Sequence, residues 1–204
     1  MEVLGKLFGS PTRVKIMRLF LFNPETGFEI SEVSRRSRVP REAARREIAF
    51  LRGIDFIRPG KIHREPKKGG KQLSSKKSSV DGWFFNVNFD YGKPLRDLLV
   101  DSKFIERSEI LKRFKNMGNI KLFIVSGIFL KNDDANIDLL IVGDGLKKSA
   151  IESTLKQLEA EIGKELRYSI LDTQEFSYRI NMYDKFVRDI LDYPHERLIE
   201  KITI

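Results

Sequence analysis

Apolar residues recur at helical spacing in three short stretches near the N-terminus. We predict helices from Pro11 to Phe22, over 31–37 and over 40–52, because apolar positions in each stretch lie three or four residues apart. Ser10 favours the first of them, since serine is a preferred N-cap residue. Pro40 separates the other two, because proline interrupts a helix and fits the first turn of the next. The short interval between the second and third predicted helices therefore predicts a tight turn between them.

The third predicted helix has two chemically different faces. Ala44, Ile48 and Leu51 fall at i, i+4 and i+7, so they form one stripe that faces a core. The remaining surface carries the positions that we predict to reach the base edges and phosphates of DNA: Arg41, Glu42, Arg45 and Arg46. Arginine suits this task because its planar fork can hold guanine or phosphate with two hydrogen bonds. The alternative is a surface helix stabilised by a Glu42–Arg46 ion pair, and both interpretations can hold together.

Two strand-like stretches follow the helices and flank a polar loop. We predict antiparallel strands over 55–64 and 82–89, since β-branched and aromatic residues are frequent in them. The loop over 65–79 is rich in Gly, Ser and Lys, and it cannot bury a core of its own. Five of its lysines are expected to contact phosphates: Lys67, Lys68, Lys71, Lys76 and Lys77. Three helices, a strand, a basic loop and a strand predict a winged helix with this loop as the wing; a basic loop without a role is the alternative.

A different pattern occupies the second half of the chain. The predicted elements are, in order, helix 94–117, strand 120–129, strand 137–142, helix 147–163, strand 166–171 and helical segments to about Leu191. A strand, a loop, a strand, a helix and a strand in this order predict a small α/β domain with a mixed sheet.

The charge is divided unevenly between the two halves. Residues 1–80 contain 19 Lys and Arg against 8 Asp and Glu, whereas residues 81–204 contain 19 against 21, for a net charge of +9. A polyanionic partner is therefore expected to bind the N-terminal half. A solvated basic surface is the alternative, although solubility does not require such asymmetry.

Composition excludes several classes of protein. The chain has no cysteine, so it can form neither a disulfide framework nor a thiolate metal site. His63 and His195 lie far apart in the sequence, and we predict no metal site. No run of about 18 apolar residues is present, so we expect no membrane contact and a soluble, cytoplasmic protein.

A small group of residues in the second half resembles a known active-site motif. The chain around Ser126-Gly127, Asn136 and Asp138 is similar to the minimal nucleotidyltransferase fold, in which a strand ends in Gly-Ser and Asp-x-Asp follows on the next strand. In that family the two carboxylates hold Mg²⁺ against the phosphates of a nucleotide. Here Asn136 replaces the first Asp, the small pair is reversed, and strand 166–171 contains no acid. The resemblance therefore implies a domain that has lost catalysis.

Two interpretations of this motif stay open. Ser126, Gly127, Asn136 and Asp138 could still bind a nucleotide with Mg²⁺, or Asp138 could be a buried residue satisfied by neighbouring backbone. Because about two of three carboxylates are missing, the leading prediction names no catalytic residue, no metal ligand and no cofactor.

Both halves together resemble a group of prokaryotic transcriptional regulators. In these proteins an ArsR-like winged helix precedes a degenerate nucleotidyltransferase-like domain, and the segments 6–20 and 118–127 carry the resemblance. The predicted fold class is α+β, with an N-terminal winged helix-turn-helix domain and a C-terminal small α/β nucleotidyltransferase-like domain on a mixed sheet. The predicted boundaries are 1–92 for the winged helix, 93–117 for a helical linker and 118–204 for the second domain.

The predicted function is that of a DNA-binding transcriptional regulator whose second domain senses a ligand or holds a dimer. Its expected partners are double-stranded DNA, a second copy in a homodimer and a small-molecule effector. Two alternatives remain. One is an active nucleotidyltransferase tethered to nucleic acid by the winged helix, and the other is an RNA-binding or antitoxin-like module.

Overall fold

Nine α-helices and two β-sheets form most of the described part of the chain, so the architecture is mixed α+β, as predicted. The computed structural model describes residues 2–64, 78–100, 107–132 and 134–202. Across these ranges, no helix has the length and apolar character needed to cross a membrane. The chain divides into unit 1, Met1–Phe104 with Glu159–Lys164, and unit 2, Ile105–Leu158 with Glu165–Ile204.

Unit 1 begins with a series of short helices. They are α1 (Glu2–Leu7), α2 (Pro11–Phe22), α3 (Ile30–Ser37), α4 (Arg41–Gly53) and, later in the chain, α5 (Gly92–Leu99). The Ser10 side chain accepts a hydrogen bond from the backbone N–H of Arg13, which confirms its predicted role as the N-cap of α2. Helix α1 was not predicted, because six residues contain too little periodicity to indicate a helix.

The core of unit 1 forms around α2. This helix buries side chains on most of its surface, namely Val14, Ile16, Met17, Leu19, Phe20 and Leu21. Phe20 packs edge-on against Phe28, with 5.6 Å between the ring centroids. Ala44, Ile48 and Leu51 of α4 belong to the same buried cluster, which confirms the predicted core-facing stripe. The other face of α4 is thereby left to solvent.

A tight turn joins α3 to α4. Arg38 adopts the left-handed conformation, with φ at 50°, and the backbone N–H of Val39 donates to the carbonyl of Ser34 at 3.1 Å. The Ser34 hydroxyl donates in return to the carbonyl of Val39 at 2.7 Å. These two bonds close the end of α3, and α4 begins three residues after Arg38.

A β-hairpin completes unit 1. Strands β1 (Ile57–Arg64) and β2 (Ser78–Phe85) pair antiparallel, from Ile57 opposite Phe85 to Arg64 opposite Ser78. Phe28 pairs with Trp83 through a backbone hydrogen bond of 2.9 Å in each direction. The segment that leads into α3 is therefore tied to β2.

The predicted strand limits differ from those of the hairpin. The strand predicted over 82–89 lies at 78–85, because Asn86 begins a turn in which its side chain accepts the N–H of Asn88 at 3.2 Å. The strand predicted from Asp55 begins two residues later, since Asp55 has φ at 58° and cannot be extended. The predicted phosphate-contacting lysines lie outside the described residues: Lys67, Lys68, Lys71, Lys76 and Lys77.

Unit 1 also buries one arginine. Arg18 of α2 is 1% exposed, and its Nε donates to the carbonyl of Leu99 at 2.8 Å. Its Nη1 donates at 2.9 Å to the carbonyl of Glu161, in the second segment of unit 1. Burial lowers the pKa of Arg18 to about 10, although the charge of Glu161 opposes that shift. Backbone carbonyls at two helix ends thus stabilise a charge inside the core.

Unit 2 is built on a four-stranded mixed sheet. Its elements are α6 (Arg107–Arg113), β3 (Asn119–Val125), a 3₁₀ turn (Gly127–Leu130), β4 (Leu139–Asp144), α7 (Lys148–Ile162), β5 (Tyr168–Leu171), α8 (Thr173–Asn181), α9 (Lys185–Asp192) and β6 (Glu196–Glu200). The strand order is β5-β4-β3-β6, with β4 and β5 parallel and the other pairs antiparallel. Alternate residues of β3 and β4, such as Leu122 and Leu140, pack with Phe176, Val187 and Ile190 of α8 and α9.

Three elements of the second half differ from what the sequence indicated. The strand predicted over 120–129 ends at Val125, because Gly127 has φ at 52° and the chain turns there. The helix predicted over 94–117 appears as α5 and α6, with 101–106 outside the described residues. Strand β6 was not predicted, since its burial does not alternate cleanly and its pairing with β3 joins distant residues.

One glycine of the unit 2 sheet has no room for a side chain. A Cβ atom at Gly143 of β4 would collide with the carbonyl oxygen of Asn119 and lie 2.9 Å from Cα of Ile120. We predict that Gly143→Ala lowers the free energy of unfolding by about 2 kcal/mol or more, because backbone cannot move aside as a flexible side chain can. Urea denaturation measures this. Gly53→Ala is the control, since nothing lies within 4 Å of its Cβ position; equal stability losses would contradict the prediction.

Candidate nucleic-acid interface

Helix α4 presents its predicted DNA-facing residues to solvent. Arg41, Glu42, Arg45 and Arg46 are all exposed, as are Ala49 and Arg52 farther along the helix. The structure thus brings the four predicted residues together within the first two turns of one helix. The turn at Arg38 lies three residues before this end of α4.

The ion pairs of α4 differ from the predicted ones. Glu42 pairs with Arg45 at 2.9 Å, so the surface ion pair of the alternative interpretation forms at i, i+3 rather than with Arg46 at i, i+4. Within the described ranges, Arg41 and Arg46 form no ion pair. The Glu42 carboxylate therefore holds the guanidinium of Arg45, while Arg41 and Arg46 remain available for an anionic partner.

Arginines on the flank of α4 serve the fold instead. Arg13 of α2 donates through Nε to Glu47 at 2.8 Å, and its guanidinium lies 3.7 Å from the ring centroid of Phe50. Arg36 of α3 pairs with Glu32 at 3.0 Å. Both pairs neutralise part of the cationic charge; the contacts of Arg13 also join α2 to α4, whereas the Arg36–Glu32 pair lies within α3. The remaining charge is concentrated at the exposed start of α4.

The surroundings of α4 remain cationic after this pairing. The segment 30–53 contains seven arginines against three glutamates. Arg58 of β1 is exposed, and the Arg52 guanidinium lies 5.8 Å from the ring centroid of Trp83 on β2. The start of α4 and the hairpin also border one cleft of about 360 Å³, whose lining includes Arg41 and Trp83 together with the acidic residues Glu29 and Asp81. Helix and hairpin are therefore neighbours at this cleft, and the excess of positive charge lies on the exposed face of α4 rather than in the cleft.

The residues predicted as a nucleotide site lie in unit 2, and their contacts are mainly internal. Asp138 is 2% exposed, and one carboxylate oxygen accepts the backbone N–H of Ile128 at 3.0 Å. The other accepts the N–H of Arg167 at 2.8 Å, and the Arg167 guanidinium lies 3.3 Å away. A Cβ atom at Gly127 would collide with the same carboxylate. The protein itself therefore occupies both oxygens of Asp138.

The other two predicted residues turn to different partners. The Ser126 hydroxyl donates to the carbonyl of Pro194 at 3.0 Å, and the Asn136 amide donates to the carboxylate of Asp189 at 3.3 Å. In the part of the chain that the structure describes, no three His, Cys, Asp or Glu side chains gather as a metal site would require. Of the two interpretations of Asp138, these contacts favour a structural role.

Arg167 is the partner of Asp138 that the sequence analysis missed. Each residue immediately precedes its strand, and β4 and β5 are parallel neighbours, with Leu139 opposite Tyr168. The register alone therefore places Arg167 beside Asp138. The sequence does show a charged residue directly before each of these two strands. That signal predicts the Asp138–Arg167 pair only if the strands are known to be adjacent and parallel.

Comparison with known proteins adds no relative: no family model, curated protein or solved structure matches this chain.

The contacts of Asp138 lead to a stability prediction. Asp138→Asn is expected to lower the free energy of unfolding by about 2–4 kcal/mol, because an amide nitrogen would face the donors that the carboxylate now satisfies. Thermal and urea denaturation, followed through signals from unit 2, measure the loss of stability. Asp134→Asn makes the same chemical change at an exposed position and is expected to change stability by no more than about 0.5 kcal/mol. An Asp138→Asn variant as stable as this control would contradict the structural role.

Proposed function

We propose that this chain is a DNA-binding transcriptional regulator, with unit 1 acting as a winged helix and α4 as its recognition helix. The observation that carries the proposal is the division of α4 into two faces. Ala44, Ile48 and Leu51 are buried, while Arg41 and Arg46 are exposed and form no ion pair within the described ranges. A helix supported from behind and cationic in front fits the major groove of DNA.

The chemistry of the exposed arginines supports base recognition. In helix-turn-helix proteins, residues near the start of the recognition helix contact base edges. Arg41 is the first residue of α4, and Arg45 and Arg46 lie one turn later. Each guanidinium can donate two hydrogen bonds to guanine or to a phosphate. The Glu42–Arg45 pair holds one of these forks in place before DNA binds, which reduces the entropy lost on binding.

The basic loop between β1 and β2 is proposed to be the wing. Its five lysines, Lys67, Lys68, Lys71, Lys76 and Lys77, would contact phosphates rather than bases, because a flexible ammonium group provides charge without a fixed geometry. These contacts would raise affinity for all duplexes alike and make binding depend on salt.

Unit 2 is proposed to be a nucleotidyltransferase-like domain that has lost catalysis. The internal contacts of Asp138 support this, since a carboxylate held by Ile128 and Arg167 has no free oxygen for Mg²⁺. The domain would bind a small-molecule effector or hold a dimer. As a cytoplasmic homodimer, the protein would place two copies of α4 in successive major grooves, about 34 Å apart.

Selection of bound sequences from random duplex DNA tests the proposal and identifies the binding site together. The expected result is enrichment of one short motif, repeated as two half-sites. Structured RNA, added as competitor at fixed salt, separates this function from RNA binding. Absence of an enriched motif, or stronger binding to the RNA, would overturn the proposal.

The selected motif then allows the two kinds of contact to be distinguished. Arg41→Ala and Arg46→Ala are each expected to weaken binding to the motif by about 1–3 kcal/mol and to change binding to random DNA much less. Lys76→Ala and Lys77→Ala should weaken binding to both duplexes equally and reduce the slope of affinity against salt by about one unit each. Fluorescence anisotropy at several salt concentrations measures both effects.

Arg96→Ala is the matched control, because it removes an exposed arginine of unit 1 outside α4 and the hairpin. It should leave the preference for the motif unchanged. If Arg41→Ala and Arg46→Ala lower affinity for motif and random DNA by the same factor, α4 does not read bases.

A further inference from the structure

Helix α9 of unit 2 has a surface that the proposed DNA contact does not use. Its inner side is buried, since Val187 and Ile190 belong to the same cluster as the sheet residues Leu122 and Leu140. The outward stripe consists of charged residues at positions i, i+3, i+4 and i+7: Lys185, Arg188, Asp189 and Asp192. Three of them are exposed, whereas Asp189 is half-buried and already accepts a hydrogen bond from the Asn136 amide.

The order of these charges is unfavourable for the helix by itself. The positive end of a helix dipole is its N-terminus, yet Lys185 and Arg188 occupy the first half of α9. Asp189 and Asp192 occupy the second half, which carries the negative end of the dipole. Within the helix, the ion pair between Arg188 and Asp192 is long, at 3.9 Å, and both side chains are more than half exposed, so the pair is weak. The helix dipole therefore does not explain the charge order of α9, and the i, i+4 pair of Arg188 with Asp192 offsets the unfavourable order only in part.

A second copy of α9 would explain it. When two such helices run antiparallel about a two-fold axis between Arg188 and Asp189, Lys185 of each copy lies opposite Asp192 of the other. Arg188 then lies opposite Asp189, and the two helix dipoles oppose each other favourably. Every charge of the stripe meets an opposite charge, which is the self-complementarity that a two-fold interface requires.

Apolar residues at the two ends of α9 follow the same symmetry. Tyr183 is 77% exposed and Phe186 is 36% exposed at the N-terminal end, and Tyr193 is 55% exposed just past the C-terminal end. In the antiparallel arrangement, the N-terminal end of one helix adjoins the C-terminal end of the other. The aromatic residues of the two copies would therefore bury one another, which gives the interface an apolar component.

We propose that the outward surface of α9 is the centre of a two-fold interface between two copies of this chain. The proposal specifies the homodimer of the proposed function and in that respect rests on it, but it concerns unit 2 alone and can be measured without DNA.

Sedimentation equilibrium of the full chain at low salt, with K185E and D192K variants, tests this interface. The wild type is expected to be dimeric. Each variant should raise the dissociation constant of the dimer by about tenfold, because two symmetry-related pairs change from attractive to repulsive. An equimolar mixture of K185E and D192K should recover dimers, since each altered residue then meets an opposite charge. Both positions are exposed, and circular dichroism checks that the variants fold.

K156E is the control for K185E, because it reverses an exposed lysine on α7 with the same change in net charge. It should leave the dimer unchanged. The interface is overturned by a monomeric wild type, by a dimer indifferent to K185E and D192K, or by a mixture that stays monomeric. If the protein is a monomer that still selects a DNA motif, only the proposed interface is contradicted. If it is a dimer that binds no DNA, only the proposed function is contradicted.

Discussion

The burial of one face of α4 against the core around α2 is the constraint on which unit 1 depends. A helix turns by about 100° per residue, so placing Ala44, Ile48 and Leu51 inside necessarily places Arg41 and Arg46 outside. The two hydrogen bonds between Ser34 and Val39 close the end of α3 just before α4 begins. The cationic surface is therefore a consequence of apolar packing, because the core behind α4 determines which of its residues face solvent.

The two units use buried charge in similar ways and exposed charge in different ways. Arg18 in unit 1 and Asp138 in unit 2 are both almost fully buried, and backbone groups satisfy both of them. Neither is available to a ligand. On the surface of unit 1, positive charge exceeds what the neighbouring glutamates neutralise, whereas the stripe on α9 contains both signs in equal number. The first pattern suits a polyanion, and the second suits a copy of itself.

The sequence predicts local features of this fold better than distant ones. Apolar spacing identified α2, α3 and α4 to within about two residues, because helix periodicity is a local property. The predicted strand limits were less accurate. Single residues with positive φ, such as Asp55 before β1 and Gly127 after β3, limit strands that composition alone would extend. Strand β6 and the Asp138–Arg167 pair escaped prediction because both depend on which strands are neighbours. The exposed residues of α4 were predictable, while their ion-pair partners depended on side-chain conformation.

The central claim, that α4 enters a groove of DNA, is tested most directly by nuclear magnetic resonance of the labelled chain during titration with a selected duplex. The account predicts that the largest amide and guanidinium shifts occur at residues 41–46 and saturate together, with small shifts on β3, β4 and β5. Shifts confined to unit 2, or spread evenly over all exposed cations of the chain, would contradict it.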